Sequence, residues 1–183
     1  MSPPYLSLVI PTRNDEYPSK TIPVQGKCLR LLQRQLEAAG IESEILVVEY
    51  NPDLSRPSLA ESLKVDQGRY VTVKVIQVDE RYHQKFRFHR ELPFHQTCAI
   101  NTGLQRSRGR FFVYRAADHI YSEQLIRFLA AKALHEGTIY RCDRVDVRQE
   151  TFDAVTLEDA DRVSSVCGGD VAFRFGPRTP DPT

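Results

Sequence analysis

The sequence predicts an α/β protein built on a mostly parallel sheet with helices on both faces. Three observations carry this expectation. Apolar, β-branched runs at Tyr5–Ile10, Glu44–Glu49 and Phe111–Arg115 are short enough to be strands and apolar enough to be covered on both sides. Segments with helical spacing separate them, and strands joined through helices pair in parallel. Each run also stops at proline or polar residues, which marks a rim where chain direction changes.

In order along the chain, Tyr5–Ile10 is a first strand closed by Pro11, Thr12, Arg13 and Asn14. Residues 14–26 hold prolines, a glycine and several charges and read as a loop. Lys27–Ala39 reads as a helix, with Leu29, Leu32 and Leu36 at helical spacing and Gly40 as its stop; Lys27, Arg30 and Arg34 then form its wet face. Glu44–Glu49 is a second strand ended by Tyr50, Asn51 and Pro52. Ser58 and Glu61 have the spacing of a capping box for one or two helical turns over 58–64. Tyr70–Val78 alternates as a third strand, and Phe94–Ser107 is predicted helical. Gly109 launches the fourth strand, Phe111–Arg115, read as buried on both faces. Ser122 is placed to cap a helix running to His135 before Gly137, and Thr138–Val147 reads as a fifth strand. Beyond it Val171, Phe173 and Phe175 alternate as a short edge strand, and the last eight residues read as disordered.

Composition bounds the function. With 183 residues, 41% hydrophobic and 27% charged, the chain is long enough for one sizeable core. A net charge of +1 gives no electrostatic reason to expect nucleic acid or an acidic membrane as partner. Nothing approaches the roughly 18 apolar residues of a membrane span. The N-terminal MSPPYLSLVIP lacks a basic leader region, so the expectation is a cytoplasmic protein without a signal peptide. Cys28, Cys98, Cys142 and Cys167 form no CxxC pair and read as thiols in a reducing compartment.

The order LSLVIPTRND, EILVVEYNP, then AINTGLQRSRGRFFVYRAADHIYSEQLIRFL resembles the family-2 glycosyltransferases of the GT-A fold over about residues 6–130. It is similar in particular to small members of that group that continue with a strand like IYRCDRVDV. The resemblance implies a single Rossmann-like nucleotide-sugar-binding domain over 1–150, with 151–183 a partly flexible C-terminal extension. It implies a glycosyltransferase taking a nucleotide-diphosphate sugar as donor, with the acceptor unidentified. Pro11, Thr12 and Arg13 would line the base and ribose pocket, and Glu49 stands where the family places an acid that contacts the nucleoside. Asn101 belongs to its N-x-G element, and Asp118 falls on the second acid of its D-x-D motif. In such enzymes a divalent cation, Mn2+ or Mg2+, neutralises the departing diphosphate through carboxylate oxygens.

The departures are as informative. Ala116 occupies the first D-x-D position and Arg115 precedes it, so one carboxylate of the metal clamp is missing. Three readings stay open: His119 joins Asp118 in holding the metal, Arg115 replaces the metal as a cation, or donor binding has been lost. The family's usual E-D base motif is absent as well. Asp143 and Asp146 are the nearest candidates for a general base, although each is flanked by arginine and both also fit structural ion pairs. The alternative function is therefore a non-catalytic nucleotide-binding or scaffold protein on the same fold. A nucleotidyltransferase is disfavoured because PTRND holds no glycine with which to cradle phosphates.

One segment stays outside this scheme. Residues 81–95, RYHQKFRFHRELPFH, interleave basic and aromatic side chains, and His83, His89 and His95 recur at a spacing that fits neither helix nor strand. It reads either as a loop that brings Lys85, Arg87 or Arg90 to a diphosphate or as one that anchors its phenylalanines in the core. The whole reading depends on Thr12, Glu49 and Asp118 converging at the tips of their strands.

Overall fold

A computed structural model describes residues 3–15, 21–142, 146–166 and 175–177. Its centre is a four-stranded, all-parallel sheet in the order β3-β2-β1-β4, formed by β1 (Leu6–Thr12), β2 (Ser43–Tyr50), β3 (Val71–Val78) and β4 (Phe111–Tyr114). The two inner strands are buried along their whole length, which is why they are apolar on both faces.

Strand alternation divides the apolar side chains between two layers. On one face Leu6, Leu8, Ile10, Ile45, Val47, Val71 and Val73 pack with Leu29, Leu32 and Leu36 of α1 (Ile22–Ala38). The short α2 (Leu59–Ser62) follows β2, and its predicted capping box is formed in both directions between Ser58 and Glu61. α3 (Glu80–His83) follows β3 directly. On the other face Val9, Leu46, Val48 and Tyr50 pack with Ala99 of α4 (Gln96–Leu104). α4 comes close because Gly103 has no side chain: a Cβ there would stand 2.4 Å from a methyl of Val9. α5 (Glu123–Ala130) returns to the first face through Ile126 and Leu129, capped by Ser122 as its sequence implies. The α/β expectation, with helices on both faces of a parallel sheet, is met.

Several local expectations are corrected. α1 begins at Ile22 rather than Lys27, because Pro23 lies in the first turn, where a missing N–H costs nothing. Lys27 is not on a wet face: its Nζ donates to the Phe152 carbonyl at 2.5 Å and sits 4.3 Å from that ring's centre. β4 is the edge strand, so Phe112 and Tyr114 remain 37% and 43% exposed instead of covered on both faces. α5 stops at Ala130, five residues before His135. Of the fifth strand, Tyr140–Cys142 form β5, which lies outside the main sheet and pairs antiparallel with β6 (Phe175–Pro177), while residues 143–145 lie outside the described residues. The alternating residues Val171 and Phe173 lie outside the described residues, while Phe175 opens β6. Between the two strands, α6 (Gln149–Ala154), a 3-10 turn (Leu157–Asp159) and α7 (Val163–Val166) lie along α1. Val155 and Val163 cover Leu31, and Gln35 Nε2 donates to the Ala160 carbonyl at 2.9 Å. No helix among the described residues is long and apolar enough to cross a membrane.

Two buried polar groups explain how the edge strand is held. Glu44 is 1% exposed, and its carboxylate accepts from Ser7 Oγ at 2.6 Å and from Arg108 N at 2.5 Å. Ser7 Oγ in turn accepts from Gly109 N at 2.7 Å. β1, β2 and the turn into β4 are therefore joined by one hydrogen-bonded set. Burial works against ionisation of Glu44, yet the bonds from Ser7 and Arg108 prevail and hold its carboxyl below the ordinary value.

Candidate functional site

In a parallel sheet all strands deliver their carboxyl ends to one rim, and ligands bind where the strand order reverses. Here the reversal lies between β1 and β4, since β2 and β3 extend one way and β4 the other. The two lips of this crevice are the loop after β1, starting at Arg13, and the turn Arg115–His119 after β4. They are neighbours: Arg115 N donates to the Val9 carbonyl at 3.1 Å, and Ala117 and Thr12 line the same small internal void.

The first lip is tied down from below. Asn14 is 2% exposed; its amide donates to the Asp53 carbonyl at 2.9 Å and to the Pro57 carbonyl at 3.2 Å, while its Oδ1 accepts from Asp53 N at 2.7 Å. Arg13 spans the same gap, donating through Nε to the Asn51 carbonyl at 2.5 Å and through Nη1 to Asp15 at 2.7 Å. The loops after β1 and β2 thus form one braced unit. Sequence reasoning named Arg13 but passed over Asn14. The signal for Asn14 was its position after a strand, where an asparagine side chain commonly takes over backbone partners.

Thr12 and Glu49 are register partners on β1 and β2. Both side chains turn to the α1 face and away from the crevice mouth. Thr12 Oγ1 donates to Gln25 Oε1 at 2.8 Å, inside the protein. Glu49 is fully buried, accepts from Leu59 N at 2.9 Å at the start of α2, and receives a long contact of 3.4 Å from Gln77 Nε2. Burial pushes its carboxyl above the ordinary value despite those bonds. Pro11 is buried within β1. Asn101 lies on the exposed side of α4, in the opposite layer from Thr12 and Glu49. The three strand-tip residues Thr12, Glu49 and Asp118 therefore share a rim, but the first two serve packing and hydrogen bonding beneath it.

The second lip is shaped by Arg115, which follows the last residue of β4 and is 2% exposed. Its guanidinium donates to the His119 carbonyl and lies 5.4 Å from the Tyr121 ring centre, closing the 115–119 turn on itself. Burial lowers its affinity for its proton, while Tyr121, Cys28 and Asp118 counteract. The same surroundings push the Tyr121 hydroxyl up to about 12 and the Cys28 thiol up to about 11. Asp118 is half-buried, and its Oδ1 has no solvent access and no hydrogen-bond partner. An unpartnered carboxylate oxygen is costly to keep, and the same turn holds a second buried polar atom without a hydrogen-bond partner, Arg115 Nε.

Mg2+ takes six oxygen ligands, usually one or two carboxylates together with waters and substrate phosphates. In this turn Asp118 is the carboxylate, with Ala116 two residues before it and the buried Arg115 guanidinium close by. Among the described residues no group of three His, Cys, Asp or Glu is placed to hold a metal. Asp143 lies outside the described residues, and Asp146 is exposed just before α6.

A second opening on the rim lies beyond the ends of β2 and β3. It is a cleft of about 480 Å³ lined by Asn51, Glu80, His83, Gln84, His89 and Arg90. Of the basic residues in segment 81–95, Arg90 lines it; Lys85 and Arg87 instead lie over the rings of Tyr82 and Phe88 at the surface. The His83 and His89 rings stand 6.3 Å apart and His95 packs against Phe86 with ring centres 4.6 Å apart.

Compared with known proteins, the chain matches no family model and no curated sequence.

Proposed function

We propose that this protein binds a nucleotide-diphosphate sugar across the β1/β4 crevice and transfers the glycosyl group to an acceptor. The observation that carries the reading is the pairing of the two lips: a braced Arg13–Asn14 loop faces a turn locked by Arg115, on which the Asp118 side chain is half-buried. A nucleotide brings hydroxyl and ring N–H donors suited to a carboxylate at this lip. The backbone of the braced loop supplies a preformed wall that costs little ordering entropy on binding. The resemblance to family-2 glycosyltransferases supports the class of donor.

Transfer itself breaks the bond between the anomeric carbon and the diphosphate oxygen and forms one to the acceptor oxygen, whose proton passes to a base. Asp146 is the described candidate for that base.

A second reading is favoured by Ala116: a protein that retains nucleotide binding and has lost transfer. Thermal-shift measurements with UDP, GDP, CMP and dTDP sugars, with and without Mn2+, followed by an assay for released nucleotide, separate the two. Stabilisation by one nucleotide with release supports the transferase. Stabilisation without release supports the binding protein, and indifference to every nucleotide refutes both.

A further inference from the structure

We propose that the cleft beyond β2 and β3 is a second ligand site, built to hold a phosphorylated sugar or polyol through Arg90 and His89. The proposal does not rest on the transferase reading: of the cleft residues, Asn51 braces the first lip through its backbone carbonyl, and Arg90 and His89, which carry the proposal, have no part in the β1/β4 crevice.

The walls of this cleft are tied to the sheet rim by buried contacts. His83 is 3% exposed, and both of its ring nitrogens are engaged. Nε2 donates to the His89 carbonyl at 2.8 Å, which leaves Nδ1, in the neutral ring, to accept from the Tyr50 hydroxyl at 3.2 Å. Tyr50 keeps its proton for this bond, since burial pushes its hydroxyl up to about 12. Around this pair the ring of Tyr50 meets His83 edge-on at 5.5 Å and Phe94 at 6.0 Å. Asn51 closes the floor with a backbone φ of 48°, its amide donating to the Pro93 carbonyl at 2.8 Å. The segment that reads in sequence as an unassigned basic and aromatic loop is thus stapled at both ends to the sheet rim.

What this frame presents to the cleft is specific. His89 Nδ1 donates to the Phe86 carbonyl at 2.8 Å, so Nε2 is its remaining polar atom. Arg90, next in the chain, forms no ion pair among the described residues, although Glu80 lines the same cleft. Glu80 is occupied instead by Gln84, whose Nε2 donates to it at 3.0 Å. The Arg90 guanidinium fork suits a phosphate ester, and His89 Nε2, an acceptor in the neutral ring because Nδ1 carries the proton, suits a hydroxyl of the same ligand. Glu80, Gln84 and Asn51 supply the acceptors and donors that hydroxyl groups need. A volume of about 480 Å³ accommodates a molecule of sugar-phosphate size.

The test uses the whole protein, with inorganic phosphate and ribose 5-phosphate as probes and acetate at equal ionic strength as control. NMR of the His89 imidazole and Arg90 guanidinium follows binding. Saturable shifts with ribose 5-phosphate, weaker with phosphate and absent with acetate, are expected. Arg90→Ala should weaken binding about tenfold or more, the loss of one charge-assisted contact. Its melting temperature should not change, because the side chain is exposed. Asp118→Ala should bind both probes as the parent does. The proposal is overturned by shifts that do not saturate, by binding that survives Arg90→Ala, or by equal loss in Asp118→Ala.

Discussion

Replacing Glu49 by glutamine and by alanine separates a structural acid from one that contacts a ligand. The carboxylate is fully buried and accepts from Leu59 N at 2.9 Å. Alanine leaves that N–H without a partner, at about 1–3 kcal/mol, and removes the carboxylate with one methylene, the methylene at about 0.8 kcal/mol. Removing a buried charge offsets part of this, leaving a net loss of about 2–3 kcal/mol, or roughly 5–10 °C in melting temperature for a chain of this size. Glutamine keeps both the volume and the acceptor, and the exposed Gln77 can turn its amide to suit. The pH dependence carries the sign. Burial raises the folded carboxyl above its unfolded value, so the folded state holds the proton more tightly. The stability Glu49 contributes is therefore fully present below the unfolded pKa, about 4.3, and is lost as pH rises through the folded one. Urea denaturation at pH 4 and pH 8 should show Glu49→Gln gaining on the parent at the higher pH, with nucleotide binding unchanged. A glutamine variant as unstable as the alanine one, or one that keeps its stability and loses nucleotide binding, would refute the assignment.

Three further outcomes follow from the same contacts. Asp118→Ala should abolish nucleotide binding in a calorimetric titration with the melting temperature unchanged or slightly higher, since it removes an unpartnered oxygen; a lower melting temperature with intact binding makes Asp118 a structural acid. Gly103→Ala puts a Cβ 2.4 Å from one Val9 methyl and 2.8 Å from the other, so it should cost about 1–3 kcal/mol in denaturant unfolding; a neutral result means α4 does not approach β1 this closely. Glu44 has a lowered folded pKa, so its contribution is present above the unfolded value and is lost as pH falls through the folded one. Glu44→Gln should be less stable than the parent at pH 7, and the gap should narrow in acid; a constant gap from pH 7 to pH 3 would show that the carboxylate charge is not what binds Ser7 and Arg108.

Much of the fold was legible because it follows from local chemistry. LSLVIPT and SEILVVEY are apolar on both faces, and only the middle of a parallel sheet buries both. The capping box of Ser58 and Glu61 and the Ser122 cap were equally local, each set by residues within one turn. Phe111–Tyr114 looks just as apolar, yet half of it faces outward, because being the edge strand depends on strand order, which no four-residue run encodes.

Of the site, the sequence by itself determined which strand ends carry polar groups, since alternation and turn chemistry put Arg13, Asn14, Asn51 and Asp118 at the rim. Only the tertiary structure decided what those groups do. Thr12 and Glu49 stand at the carboxyl ends of their strands, but their side chains meet Gln25 and Leu59 N, partners supplied by helices packed beneath the rim. The cleft of Asn51, Glu80, His83, His89 and Arg90 was invisible for the opposite reason. Its residues share no periodicity and are gathered only because the His83 ring bridges Tyr50 to the His89 carbonyl. Burial and long-range pairing are properties of the assembled layers, and they assign each polar side chain either to the fold or to a ligand.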